Sequence, residues 1–483
     1  MTIFATTVTA TVPTDLPTTF RHLTGMDVPA VFRGAGPLPA VTAVRNQTGD
    51  WDAVGQTRTI VLSDHSTASE TLDLIYEFIP DDYERHVLQE EPLDQAAALV
   101  VANGGAVVQG AAGVGKTEFL KRVIALIKRD YPKDRIITCA EMHVAARLLP
   151  QGRTIAHLLH KSKYNRTHRA WVIVDEASQV HLHFWARMAP WKLLGAHFIV
   201  VGDFKGQFMP IGEKTNDMED SRQLHHMCNG LELTLSTYRR GADEQLFKDY
   251  TGLYKHVDEI PARVLLALRE KYPWKPPTHP SVILVLSHRK RRQLNGFVNT
   301  MHKDRCESVF IKAPRSIKGT TQQPQNMHVW AGLELMGCSR SADRIVNGVP
   351  YIVTAITAKT VTVDMDQRFW LKAEPSKDEV GIKLTHKEVA ELLRLTHALV
   401  YANVQGRTIR NKHVILLDTH HRHFTMRHLI VGMSRVTDGK YLHIPTRDQE
   451  DALMEKAPQL EEDVLIEDTD DEGESEDEGE DEE

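Results

Sequence analysis

The feature that most constrains the fold is the segment GAAGVGKT, Gly110 to Thr117, which matches the pattern G-x-x-x-x-G-K-[ST]. It follows a short apolar segment, AVVQ (106–109), and precedes the amphipathic segment TEFLKRVIALIKR. A strand, a glycine-rich turn and a helix in this order form a loop whose backbone N–H groups surround phosphate oxygens. The sequence therefore predicts an α/β domain with a phosphate-binding loop, and the flanking elements argue against an ordinary glycine-rich turn.

Each position of this loop has a specific expected role. The glycines let the backbone approach the phosphates closely, and they are Gly110, Gly113 and Gly115. Lys116 is expected to reach the β- and γ-phosphates, and the hydroxyl of Thr117 to hold Mg²⁺. The predicted cofactors are therefore ATP and Mg²⁺.

Short apolar segments alternate with amphipathic stretches from residue 93 onward, which is typical of βαβ units and a parallel sheet. A first set of four predicted strands lies at 106–109, 135–138, 171–174 and 197–201. A second set begins at 282–287 and resumes at 413–418, and between them residues 348–365 alternate with period two. The pattern predicts two α/β domains, the second with a small inserted β-barrel.

Two of these strands end in polar residues that suit a phosphate site. WVIV (171–174) is followed by Asp175 and Glu176. Because the carboxyl ends of parallel strands line the ligand crevice, Asp175 is expected to assist Mg²⁺, and Glu176 to activate the attacking water. After the strand HFIVV, Asp203 is expected to hold the geometry of the crevice and Gln207 to sense the γ-phosphate, with a simple turn as the alternative.

These motifs together resemble superfamily 1 helicases, in particular the B-type branch with its RecD-like and PIF-like enzymes, and a viral or mobile-element type is one option. The matching segments, in chain order, are LDQ (93–95), GAAGVGKT (110–117), TCAEMHVAARLL (138–149), GRTIAHLLH (152–160), DEAS (175–178), GDFKGQ (202–207), LTLSTYRR (233–240), VQGRT (404–408) and VGMSRVT (431–437).

The resemblance assigns roles to further residues. It implies that Gln95 contacts the adenine base and that Gly406 contributes to nucleotide binding. Arg239 and Arg435 match two arginine fingers that stabilise the charge on the transferred phosphoryl group, with Arg240 as the competing candidate for the first.

The resemblance also implies an architecture of two RecA-like P-loop motor domains with parallel sheets, a small β-barrel insertion and a disordered acidic tail. The expected boundaries are an N-terminal segment of unknown role at 1–80, a first motor domain at 81–232, a second at 233–450 with the β-barrel near 318–395, and the tail at 451–483.

The implied activity is that of an ATP-dependent DNA helicase that moves 5′-to-3′ on single-stranded DNA and unwinds duplex or forked DNA. An RNA helicase is one alternative, because viral RNA enzymes share this motor. A nucleic-acid-stimulated remodeller that does not separate strands is another. A non-enzymatic scaffold is disfavoured by the intact set of Lys116, Asp175, Glu176 and Arg435.

Charge is divided unevenly along the chain. The formal net charge is -7, but residues 461–483 contain 16 acidic and no basic residues, so the preceding 460 residues carry +9. A basic body suits a polyanionic partner, and the basic run SHRKRRQLN (287–295) is a candidate phosphate contact, with a solvated basic helix face as the alternative. The tail is expected to be disordered, either as a solubility segment or as a contact for other replication or repair proteins.

The cysteine content and the lack of a recognisable secretory signal suggest an intracellular protein. The 4 cysteines form no C-x-x-C pair, and the sequence has neither a secretory signal nor an apolar run long enough for a membrane span. We therefore expect no membrane partner, and the nucleus, the cytoplasm and a viral replication site stay open as locations.

Overall fold

The computed structural model describes residues 92–457 except 162–169, 194, 211–217, 219–220, 277–280, 304–305, 315–316, 318–321, 339–343 and 371–374, together with five strands before residue 92. The chain divides into two compact units, Met1–Gly241 and Ala242–Glu483. Among the described residues, no helix is long and apolar enough to cross a membrane.

The N-terminal segment contains four short strands. Strand β1 (Thr6–Thr11) pairs in antiparallel fashion with β4 (Thr57–Leu62), and β2 (Val44–Arg45) pairs with β3 (Trp51–Asp52).

The centre of the first unit is a parallel sheet of seven strands in the order β5-β11-β6-β10-β9-β7-β8. The central strands are continuously apolar, as parallel strands covered on both faces must be. The strands are β5 (His86–Leu88), β6 (Ala106–Gly110), β7 (Arg135–Ala140), β8 (Arg153–Thr154), β9 (Ala170–Asp175), β10 (His197–Gly202) and β11 (Leu231–Leu235). The helices are α1 (Leu93–Asn103), α2 (Lys116–Asp130), α3 (His143–Arg147), α4 (Ile155–Lys161), α5 (Leu182–Leu193) and α6 (Arg222–Met227).

The second unit has a parallel sheet in the order β20-β12-β21-β22. Its strands are β12 (Ser281–Val285), β20 (Ala398–Val400), β21 (His413–Leu416) and β22 (Leu442–His443). The helices of this unit are α7 (Glu244–Gly252), α8 (Ala262–Lys271), α9 (His288–Lys303), α10 (His386–Leu392), α11 (Met426–Met433) and α12 (Arg447–Lys456).

The chain between β12 and β20 forms the expected β-structure. A hairpin of β13 (Ser308–Ile311) and β14 (Met327–Trp330) precedes a five-stranded antiparallel sheet in the order β18-β17-β16-β15-β19. We call this five-stranded sheet the insert; its strands are β15 (Glu334–Gly337), β16 (Pro350–Ile356), β17 (Thr360–Met365), β18 (Ile382–Thr385) and β19 (Leu393–Leu395). With β18 and β19 at its two edges, the described part of the insert resembles half of a barrel.

The two α/β units with parallel sheets and the β-structured insertion agree with the expected fold class, but two boundaries differ. Residues 233–241 belong to the first unit rather than the second, because β11 pairs with β5 and β6. The tail does not begin at 451, because α12 continues to Lys456 and buries Leu453 and Ala457 against the core of the second unit. The strongly acidic residues beyond 457 lie outside the described residues.

Candidate active site

The phosphate-binding loop has the backbone that its glycines predict. Gly113 and Gly115 have φ values of 94° and 90°, a region that side chains with a Cβ avoid. Gly110 is fixed by space, since a Cβ there would lie 2.6 Å from Val114 Cγ2 and 2.9 Å from the Leu235 carbonyl oxygen. All three glycines are therefore required for the loop to pass between β6, β11 and the start of α2.

Lys116 and Thr117 open helix α2, where backbone N–H groups and the helix dipole favour an anion. Lys116 is only 8% exposed. Its ammonium group lies over its own loop and donates to the carbonyl oxygens of Gly110 (2.7 Å) and Ala111 (3.2 Å). Thr117 is half-buried in the first turn. Both side chains thus lie at the start of α2, and their contacts with phosphate and Mg²⁺ stay predictions.

Asp175 ends the buried strand β9 and is itself 3% exposed. Its Oδ1 accepts a hydrogen bond of 2.9 Å from the Glu176 N–H. Burial, together with the nearby charge of Glu176, raises the pKa of Asp175 to about 7, although the charge of Lys116 acts in the opposite direction. The Asp175 carboxylate therefore lies near Lys116, but the positive charge around it is too small to offset the effect of burial on its pKa.

Glu176 has a left-handed backbone conformation (φ 50°, ψ 44°), which is uncommon for a residue with a side chain. Its Oε2 is buried and has no hydrogen-bond partner among the described residues. Backbone strain and an unsatisfied buried acceptor both cost free energy, and such features concentrate at functional sites.

The residues present fit Mg²⁺ and a nucleotide. Mg²⁺ prefers hard oxygen ligands and keeps several waters, so the Thr117 hydroxyl and the Asp175 carboxylate are suitable direct or water-mediated partners. A cation there would also lower the raised pKa of Asp175, and a water molecule would satisfy the Glu176 carboxylate.

Asp203 and Gln207 follow β10, the strand between β6 and β9. Asp203 Oδ1 accepts from the Gly206 N–H (2.9 Å), so the turn that was the alternative interpretation does form. Gln207 is 2% exposed, and its Oε1 lies 3.5 Å from the Ser178 hydroxyl, two residues after Glu176. The turn therefore brings Gln207 to the segment that carries Glu176.

Arg239 lies in the same unit as the phosphate-binding loop, rather than in the second domain as expected. Its backbone N–H donates to the Gly113 carbonyl (2.8 Å), and its Nη1 donates to the Val114 carbonyl (2.9 Å). Arg239 is exposed and Arg240 is half-buried. Strand β11 pairs directly with β6, the strand that leads into the phosphate-binding loop, which explains why Arg239 reaches this loop.

Arg435 follows α11 in the second unit and is 1% exposed. Its guanidinium donates within that unit to the carbonyls of Val431, Val404 and Arg407, at 2.9–3.1 Å. Gly406, with φ 71°, lies in the segment that supplies two of these carbonyls. The structure thus joins the last two sequence motifs, although the Arg435 side chain lies in the interior of its unit.

Gln95 lies in the first turn of α1 and is exposed. The adjacent Asp94 forms an ion pair of 2.8 Å with Arg122 on α2, the helix that begins with Lys116. This pair joins the expected adenine-contacting segment to the helix of the phosphate-binding loop.

The basic run at 287–295 does not form the expected charged face. It begins helix α9, in which Arg291 and Arg292 are 0% and 6% exposed. The Lys290 ammonium forms ion pairs with Asp418 and Glu450, so its charge is already neutralised. Arg289 remains exposed. Both the phosphate contact and the solvated basic face are wrong for most of this segment, because two of its arginines are buried and the acidic partners of Lys290 lie more than 120 residues away in sequence.

Comparison with protein families matches residues 92–237 to the AAA domain model. This range covers the phosphate-binding loop, both acidic strand ends and the segment before Arg239. Comparison with curated proteins gives no match.

Comparison with solved structures finds Pif1 helicases across most of the chain. The Candida albicans Pif1 helicase has 16% identity and a TM-score of 0.51, and the match covers 78% of this chain and 98% of that one. The Bacteroides Pif1 helicase in complex with ADP-AlF3 and single-stranded DNA has 18% identity and a TM-score of 0.50, with 75% and 93% covered. A structure of two coordinating Pif1 helicases at forked double-stranded DNA has 16% identity and a TM-score of 0.50, with 78% and 94% covered.

Proposed function

Since the chain has the fold of the Pif1 helicases and an AAA domain at 92–237, we propose that it is an ATP-dependent DNA helicase of superfamily 1. It couples ATP hydrolysis to movement along single-stranded DNA, in the 5′-to-3′ direction, and to separation of duplex strands. Its cofactors are ATP and Mg²⁺.

The observation that carries this proposal is the arrangement of the Lys116 loop and the Asp175–Glu176 pair. Their strands, β6 and β9, are separated only by β10 in a parallel sheet, and their carboxyl ends lie at the same edge. Lys116 is close enough for its charge to lower the pKa of Asp175 against the effect of burial. A loop for phosphates and a buried carboxylate pair at one sheet edge suit phosphoryl transfer to water.

The side chains have distinct proposed roles in hydrolysis. Lys116 and the loop N–H groups hold the β- and γ-phosphates, and Thr117 with Asp175 would hold Mg²⁺, which neutralises phosphate charge when bound. Glu176, with its unsatisfied Oε2, orients the attacking water and accepts its proton.

The remaining site residues assist in orienting and stabilising the phosphates. Gln207 contacts the γ-phosphate and, through its hydrogen bond with Ser178, links that phosphate to the segment that carries Glu176. Arg239, fixed to the carbonyls of Gly113 and Val114, stabilises the charge that develops on the phosphoryl oxygens. Gln95 contacts the base, Gly406 belongs to the nucleotide-binding set, and Arg435 has the role in hydrolysis that the sequence resemblance assigns to it.

DNA is the proposed partner because the matched solved structures include Pif1 helicases with single-stranded and forked DNA. Single-stranded DNA is the track and forked duplex the substrate. The two alternatives are an RNA helicase and a remodeller that displaces proteins without separating strands. The experiments below distinguish both from a DNA helicase.

The first experiment measures ATP hydrolysis with single-stranded DNA, with single-stranded RNA and without nucleic acid. We expect the DNA to stimulate hydrolysis most strongly, and Lys116→Ala to abolish it. Lys121→Ala is the matched control, because Lys121 lies on the same helix and is 53% exposed. Undiminished hydrolysis by Lys116→Ala would refute the proposal, and stronger stimulation by RNA would indicate the RNA helicase.

The second experiment measures strand release from a forked DNA duplex under the same conditions. A helicase releases the strand only with hydrolysable ATP. Hydrolysis without strand release would instead indicate a remodeller.

A further inference from the structure

The insert is joined to the segment that holds Arg435, and these contacts lie entirely within the second unit. We propose that the insert positions Arg435 by means of Arg407 and Arg368, so that these two arginines are positioning residues for ATP hydrolysis. The inference rests on the proposed function and deepens it, because it identifies which part of the chain sets the geometry of Arg435.

Arg435 is connected to residues 404–409 through both its side chain and its backbone. Its Nη1 donates to the carbonyl oxygens of Val404 and Arg407, both at 3.1 Å. In the opposite direction, the Ile409 N–H donates to the Arg435 carbonyl at 2.9 Å. Side chain and backbone of Arg435 are thus both fixed to one short segment, and any shift of that segment moves the guanidinium.

This segment is in turn connected to the insert. Arg407 Nη2 donates to the Gly348 carbonyl and contacts Met336 Sδ on β15 at 3.1 Å. Arg368, in the turn after β17, donates from Nη1 to the Thr408 carbonyl at 3.1 Å. Three successive features of the insert, β15, the turn before β16 and the turn after β17, therefore contact two adjacent residues.

A third contact extends the same connection. Lys412 Nζ lies 2.9 Å from the Glu334 carboxylate on β15. This ion pair joins the residue before β21 to the insert. The insert therefore contacts this part of the chain at Arg407, Thr408 and Lys412.

Burial fixes the side chain of Arg407, and an ion pair fixes that of Arg368. Arg407 is 8% exposed, and burial lowers the pKa of its guanidinium to about 10; the charge of Arg368 acts in the same direction, while Glu334 and Asp366 oppose it. A buried charge that depends on carbonyl acceptors holds them in a fixed geometry, because losing them leaves the charge unsolvated. Arg368 is itself oriented by Asp366, whose carboxylate accepts from Nε (3.0 Å) and Nη2 (2.6 Å).

The decisive variant is Arg368→Gln, because Arg368 is 44% exposed and its loss leaves the core intact. The matched control is Arg344→Gln. Arg344 lies between β15 and β16, is 50% exposed and also pairs with a carboxylate, that of Glu388. Its other contact is the Lys383 carbonyl rather than residues 404–412.

We expect Arg368→Gln to lower the kcat of DNA-stimulated ATP hydrolysis about fivefold, the equivalent of one lost hydrogen bond. The KM for ATP and the thermal midpoint should stay at the wild-type values, because neither the phosphate-binding loop nor the core is changed. Arg344→Gln should keep the wild-type kcat. A purely structural role for Arg368 would instead lower the thermal midpoint and leave kcat unchanged.

A second variant, Arg407→Lys, keeps the charge but removes the fork that reaches both Gly348 and Met336. We expect the same loss of kcat, here with a lower thermal midpoint as well, because Arg407 is buried and the lysine leaves a carbonyl acceptor without its donor. If both variants hydrolyse ATP with the kcat of Arg344→Gln, the inference is overturned. Failure of the proposed function is distinguishable, since it would appear as wild-type hydrolysis that Lys116→Ala does not abolish.

Discussion

The sharpest prediction concerns Asp175→Asn, which removes a buried charge but keeps the oxygen that accepts from the Glu176 N–H. Burial raises the pKa of Asp175 from its ordinary value of 3.8 to about 7. The folded protein therefore binds this proton more readily than the unfolded chain between these two pH values. The charged carboxylate destabilises the first unit increasingly as the pH rises through that window, and fully above pH 7.

The magnitude follows from the size of the pKa difference. At 1.36 kcal/mol for each pKa unit, the stability difference between variant and wild type grows from near zero at pH 4 to on the order of 4 kcal/mol at pH 8. For a unit of this size, that difference raises the thermal midpoint of the variant above that of the wild type by roughly 8–16 °C.

The assay is thermal unfolding of both proteins in metal-free buffer from pH 4 to pH 8, followed by fluorescence. Asp130→Asn is the control, because Asp130 is an exposed aspartate of the same unit. A second arm adds MgCl₂ and a non-hydrolysable ATP analogue, which should stabilise the wild type more than the variant. A variant that is no more stable than wild type at pH 8, or a difference that is independent of pH, would refute this reasoning.

Three further variants test separate parts of the first unit. Gly113→Ala should weaken nucleotide binding, measured by calorimetry, about five- to thirtyfold, because φ 94° strains any residue with a Cβ by about 1–2 kcal/mol; unchanged affinity would contradict the loop geometry. Gln95→Ala should raise the KM for ATP severalfold with kcat and thermal midpoint unchanged, since its side chain is exposed, and a wild-type KM would remove the adenine contact. Trp171→Ala should lower the free energy of unfolding in urea by about 3–5 kcal/mol, because this 1% exposed ring stacks on His197, and a loss below about 1 kcal/mol would contradict the packing.

The phosphate-binding loop and the acidic strand ends could be predicted because their information is local. The glycines, the apolar strand before them and the helix after them are contiguous, and the continuous run WVIV predicts a buried strand before Asp175. The structure has each strand within two residues of its predicted bounds. Because parallel strands end at the same edge of a sheet, the sequence then predicts that Lys116 and Asp175 lie at one edge.

The domain boundary could not be predicted because strand pairing is not local. Strand β11 begins more than 25 residues after β10 ends. It nevertheless pairs with β5 and β6, on the opposite side of β6 from β10. The resemblance links Arg239 to the opening of the second motor domain, whereas hydrogen bonds fix it to the loop in the first unit.

The burial and the partners of charged residues also could not be predicted from the sequence. A run of basic residues before Gln293 suggests a surface, but Asp418 and Glu450 neutralise Lys290 from distant positions and make burial of this helix possible. Arg407 shows the same limitation. It lies inside a motif, but its partners Gly348 and Met336 are about 60 to 70 residues earlier, so no sequence spacing reveals its role.

The most direct test of the central claim is strand release from two DNA duplexes, one with a 5′ single-stranded tail and one with a 3′ tail, by wild type and Glu176→Gln. The account predicts that wild type releases the strand of the 5′-tailed duplex with MgATP, while Glu176→Gln binds ATP but releases none. Equal release by Glu176→Gln, or release by wild type without ATP, would contradict the claim that hydrolysis at this carboxylate drives strand separation.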